Sequence, residues 1–155
     1  MSEIEIELNK LTKKEIKNVS GSLVKFTVIC ERQAQEVIDS CEAILTSFDR
    51  TFLEHESLDV VLYQQVFPSE FCKKFLLLDD VLEDHSDPEK DYAWTMNDWL
   101  FMMHPDERFW YWWETKVIDD FSFEVTVLVD GVPFGYGSLE WLLITNGARR
   151  LSDYY

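Results

Sequence analysis

Residues 108–118 and 121–129 are two strand-length runs separated only by Asp119-Asp120. A gap that short joins consecutive strands as an antiparallel hairpin. Asp130-Gly131 offers a second turn, into residues 132–136, so a three-stranded antiparallel meander is expected at this end of the chain. Further strands are expected upstream. Residues 23–30 are a β-branched run, and residues 58–67 are β-rich up to Pro68. Ile4, Ile6 and Leu8 alternate with Glu3, Glu5 and Glu7, the period of a half-buried edge strand with an acidic outer face.

The strands need a helical layer, and one stripe supplies it. Ala34, Val37, Ile38, Cys41, Leu45 and Phe48 recur at intervals of three and four, with Glu36, Asp39, Glu42 and Asp49 off the stripe. Thr12 and Glu15 fit a capping box over a short turn, and Ser69 is positioned to cap a short helix carrying Phe71, Cys72, Phe75 and Leu76. Thr95 and Asp98 form another capping box, opening a helix through Trp99, Leu100 and Met103 that Pro105 stops. Ser138 is positioned to cap a closing helix through Leu139, Leu142 and Leu143, ended near Asn146-Gly147. At 155 residues and 46% hydrophobic, the chain is sized for one domain. The expectation is a single α+β domain over residues 1–155, with a mainly antiparallel sheet and flanking helices.

Charge narrows the function classes. Thirty acids against 14 Lys and Arg give a net charge of -16. Residues 1–50 carry -2 of it and residues 51–155 carry -14. Such a field repels nucleic-acid backbones and anionic lipid, and it speeds encounter with basic proteins. Three widely spaced cysteines, Cys30, Cys41 and Cys72, suit a reducing compartment better than a disulfide framework. The amino terminus lacks the basic start and apolar stretch of a secretory signal, and no apolar cluster approaches the roughly 20 residues of a membrane helix. A cytoplasmic location is expected.

Catalytic and cofactor signatures do not stand out. His55, His85 and His104 are far apart and fit no metal-ligand spacing; no serine occupies a GxSxG elbow, and no glycine-rich phosphate loop occurs. No metal and no cofactor are expected. Cys41 and Cys72 lie on apolar helical faces, where thiols are inert. Two features remain. Asp79, Asp80, Glu83, Asp84, Asp87, Glu89 and Asp91 form an acidic run opposed only by Lys90, read as an exposed acidic loop. In Phe109-Trp110-Tyr111-Trp112-Trp113, strand alternation sets Trp110 and Trp112 on one face with Glu114 and Lys116. Either a helix roofs this pair or it is exposed as binding anchors.

In whole-chain character, in the acidic run and in the aromatic run, the sequence resembles the bacterial immunity proteins of contact-dependent inhibition and related polymorphic-toxin systems. The resemblance implies a cognate toxin, often a nuclease, as partner. The expected function is therefore a non-enzymatic inhibitor that binds a basic toxin domain by protein–protein contact. The acidic run would steer the approach, and Trp110 and Trp112 would be candidate anchors. Alternatives from the same residues are a DNA-mimic inhibitor, whose carboxylates imitate phosphates, and an enzyme using paired carboxylates in a cleft.

Overall fold

The computed structural model describes residues 1–16, 19–76 and 94–155. Its centre is a four-stranded sheet built from β1 (Ser22–Cys30), β2 (Tyr111–Asp119), β3 (Ser122–Val129) and β4 (Ala148–Leu151), in the order β2-β3-β1-β4. Every pairing is antiparallel. The β2–β3 hairpin turns at Asp119-Asp120 as its sequence dictates. Residues 132–136, in contrast, form no strand, so the expected meander is corrected. β3 pairs instead with β1, and β1 takes the short β4 on its other side. Phe134 and Tyr136 pack with Tyr154 around Phe26, an aromatic cluster that holds this segment without a ladder.

Helices cover one face of the sheet. Among the described residues these are α1 (Glu3–Leu11), α2 (Ala34–His55), α3 (Val60–Val66), α4 (Ser69–Cys72), α5 (Met96–Met103) and α6 (Gly137–Thr145). α2 follows its stripe, burying Val37, Ile38, Cys41, Ile44, Leu45 and Phe48. Val24, Phe26, Val28 and Cys30 of β1 are buried on alternate positions, in register with Val127, Val125 and Phe123 of β3. The opposite face carries Lys25, Thr27 and Glu124, with Lys25 Nζ 3.5 Å from Glu124 and Tyr155 Oη donating to Glu124 at 2.8 Å. The chain is thus α+β, a mainly antiparallel sheet with flanking helices.

Further expectations are corrected: Pro68, not Ser69, holds the cap position of α4, which ends at Cys72 before Phe75 and Leu76. Residues 4–8 are helical, because Ser2 caps the helix by accepting from the Glu5 amide and Ile4, Glu7 and Leu11 then share the inward face. Thr12 ends that helix and starts no other. Residues 58–67 contain α3: Asp59 caps it by accepting from the Val61 amide, and Tyr63 and Phe67, one turn apart, are buried, with Tyr63 stacked on Phe48 and Phe67 tilted against Tyr63. Packing overrides the β-branched composition there. Thr95 caps α5 as expected, accepting from the Asp98 amide. Leu139, Leu142 and Leu143 of α6 are buried as expected, but Tyr136 holds the cap position and Ser138 is buried within the first turn. Gly147 follows α6 at φ +110°, and the Arg32 methylenes fill the space a Cβ would need.

Candidate functional site

Trp110 and Trp112 are both buried, so the expectation that they anchor a partner is corrected. Of the two arrangements open to them, the roofed one is observed. Trp110 Nε1 donates to Ser138 Oγ of α6 at 2.9 Å, and Trp112 Nε1 donates to Glu42 Oε2 of α2 at 3.0 Å. The simple alternation fails at Trp113. There β2 takes one extra residue between the Trp112–Val127 and Glu114–Thr126 pairs, so Trp112 and Glu114 fall on opposite faces. Trp113, half-buried, lies under Lys10 Nζ at 4.3 Å from its ring centre. The acidic run, Asp79, Asp80, Glu83, Asp84, Asp87, Glu89 and Asp91, lies outside the described residues.

The roofed strand leads to a charge cluster that the sequence does not announce. Arg108, just before β2, is fully enclosed and points Nη1 at Glu7 Oε1, 2.9 Å away. Its Nη2 lies 3.5 Å from Asp49 Oδ1. The second Glu7 oxygen accepts the Trp112 amide at 2.6 Å. The guanidinium sits over the Tyr111 ring at 4.3 Å and near Trp110 and Phe48. Glu7, Asp49 and Arg108 thereby tie α1, α2 and the start of β2 together, and Glu7 satisfies an amide on the sheet's outer edge that a fifth strand would otherwise take.

Two carboxyl groups and one cation do not balance. Burial is the main cause that lifts the Asp49 carboxyl well above its ordinary range; the neighbouring Glu7 adds to the rise and Arg108 opposes it. Neither Asp49 oxygen accepts a hydrogen bond among the described residues, so the charge of Arg108, 3.5 Å away, is the main support of its ionised form. Desolvation alone would lower the Arg108 pKa, but Glu7 and Asp49 outweigh it and the guanidinium stays charged. A cleft of about 100 Å³ reaches this region from outside, lined by Met1, Ile6, Arg108, Tyr111 and Leu128 among others. It touches neither carboxyl. The pair braces the fold and is sealed from that cleft.

The other chemistry-bearing side chains are dispersed. Burial pushes the Cys41 thiol up, and its Sγ lies 3.7 Å from the Leu142 carbonyl oxygen. Cys30 is also buried and Cys72 half-buried; all three are free thiols. His104 packs edge-on against Phe52 and His55 stands at the end of α2, while His85 lies outside the described residues. Among the described residues no three His, Cys, Asp or Glu side chains gather as metal ligands. No described helix is long and apolar enough to cross a membrane. An open groove of about 660 Å³ lies between α2, α4 and α6, lined by Arg32, Asp39, Glu70, Phe71, Lys74 and Asn146 among others, with mixed charge.

What distinguishes the surface is its acids. Of the Asp and Glu among the described residues, only Glu7 and Asp49 are buried. Ion pairs offset few of the rest: Lys25–Glu124, Arg32–Glu36 and Lys73–Glu70 are the Lys and Arg pairs among the described surface residues. Among the described residues, the surplus charge therefore lies outside a framework tied together by Arg108. Compared with known protein families, curated proteins and solved structures, the chain matches none.

Proposed function

We propose that this chain is an acidic inhibitor of the immunity type, which binds a basic toxin domain in the cytoplasm of a bacterial cell and blocks it by protein–protein contact. The observation that supports the reading is the charge of -16, together with the finding that Glu7 and Asp49 alone among the described acids are buried. A surface so charged disfavours self-association and nucleic acid, and it draws in a positively charged partner at rates above those of uncharged encounter. Affinity then comes from a few desolvated contacts in an interface of about 1,600 Å². The inhibitor needs no cofactor, and the acidic run from Asp79 to Asp91 contributes steering.

The test is capture of the partner by the tagged full chain from its source cell at low salt, followed by co-expression of the two. Recovery of a basic protein whose toxicity the chain abolishes supports the reading. A co-purifying small metabolite with no basic protein, or a captured protein whose activity is unaffected, overturns it.

A further inference from the structure

β2 is one of the two edge strands of the sheet, and among the described residues only its start is covered on the open side. Glu7 of α1 takes the Trp112 amide. Below that point, among the described residues, no backbone group of residues 114–118 bonds to anything outside the β2–β3 ladder. Glu114, Thr115, Lys116 and Val117 stay in unbroken register with Thr126, Val125, Glu124 and Phe123, between the irregularities at Trp113 and Ile118. Four residues in regular geometry are enough to template a short added strand.

Apolar contact is available at the same place. Val117 is 44% exposed, Ile118 54% and Phe121 50%, three large side chains within five positions at the end of an edge strand. The hairpin that carries them is tied down by hydrogen bonds. The Phe121 amide donates to Asp119 Oδ1 at 2.9 Å, the Cys30 amide to the Phe121 carbonyl at 2.8 Å, and the Ala34 amide to the Asp120 carbonyl at 2.7 Å. A partner meeting this edge orders little of it, which lowers the entropic cost of docking.

Charge selects the occupant. Glu114, Asp119 and Asp120 are exposed around the apolar residues, with Lys116 the one cation in the stretch. A second copy is a poor guest, because docking it would bring two chains of charge -16 together. We propose that the open edge of β2, residues 114–118 with the hairpin tip to Phe121, is the docking edge for an extended basic segment of a partner protein, which adds to the sheet as a fifth strand. Its Lys or Arg side chains meet Glu114, Asp119 and Asp120, and its alternate apolar side chains meet Val117, Ile118 and Phe121. The inference rests on the acidic-inhibitor reading for the partner's sign, and on the strand edge for the place.

The peptide acetyl-Lys-Val-Lys-Val-Lys-Val-Lys-amide is a direct probe, titrated into the ¹⁵N-labelled full chain. The expected result is amide shift changes concentrated at residues 114–121. Binding should be weaker by about tenfold or more when the central valine of the peptide is replaced by proline, which keeps the charge but removes a ladder donor. The variant Val117→Lys, at an exposed position, should weaken the parent peptide by a similar factor while leaving the rest of the amide spectrum in place. Shift changes that avoid β2, or equal binding of the proline peptide, would overturn the proposal. The natural partner separates the two readings. A captured basic protein that binds Val117→Lys as tightly as the unaltered chain removes the edge and leaves the inhibitor reading standing. Capture of no basic protein removes the inhibitor reading, and the peptide titration then decides the edge by itself.

Discussion

Arg108 joins two buried carboxyl groups that lie far apart in the sequence. It is the single cation between two buried carboxyl groups, and its loss leaves Glu7 enclosed without a counter-charge. Arg108→Met should destabilise the fold by roughly 3–5 kcal/mol, the cost of breaking a buried pair, which urea unfolding measures. A loss below about 1 kcal/mol would mean that the cluster opens to water. Asp49 behaves differently because its folded pKa is raised. A carboxyl that binds its proton more tightly when folded stabilises fully below its unfolded pKa, near the ordinary 3.8, and loses that contribution as pH rises towards the folded value. Asp49→Asn should therefore flatten the decline in stability with rising pH and match or exceed the parent at pH near 8. A deficit that stays constant between acid and alkaline pH would show that Asp49 is ionised in the fold. None of this was legible in the sequence. Glu7 reads as one acid of an alternating run, and its partner stands 101 positions away. Trp110 and Trp112 were legible as a pair with two possible environments, and only the bulge at Trp113 and the roofing groups Ser138 and Glu42 decide between them.

Elements with a single dominant signal were readable, and those with two competing signals were not. The stripe from Ala34 to Phe48 can satisfy only a helix, and Asp119-Asp120 between two apolar runs permits only a hairpin; both form as expected. α1 shows the conflict. Ile4, Ile6 and Leu8 alternate like a strand, but Ser2 and Glu5 have the spacing of a capping box, Ser2 accepts from the Glu5 amide, and the helix also brings Glu7 to Arg108. Ser2→Ala should lower stability by about 1 kcal/mol and fray the first turn of α1, visible as faster amide exchange at residues 3–6. Unchanged exchange there would assign the helix wholly to packing. β4 was missed because four residues containing Arg149 and Arg150 carry no strand pattern of their own; their ladder comes from β1. α6 was legible through its leucines. Leu142 is fully buried, and Leu142→Ala should cost about 2–5 kcal/mol as a core cavity. A urea midpoint equal to the parent's would contradict its place in the core.

For the whole molecule, the surplus charge sets folding and binding against each other. Residues 51–155 carry -14 of the total -16, and the described acids other than Glu7 and Asp49 lie at the surface, where their repulsion acts against the compact state. Salt shortens the reach of that repulsion from about 30 Å at 0.01 M to about 3 Å at 1 M. The buried Arg108 cluster is shielded from the ions and loses little over the same range. Added sodium chloride should therefore raise the urea midpoint of the free chain, and more so for the parent than for a variant with Glu54, Glu56, Asp59 and Glu70 changed to Gln or Asn. Association with a basic partner responds with the opposite sign, because the same screening removes the long-range attraction that speeds encounter. The rate of association should fall as salt rises while the rate of dissociation, set by contacts at close range, changes little. Stopped-flow binding and equilibrium unfolding across one salt series read both effects. If stability and association rate fell together, surface repulsion would not be what limits the fold, and the charge would instead be held in attractive contacts within the folded chain.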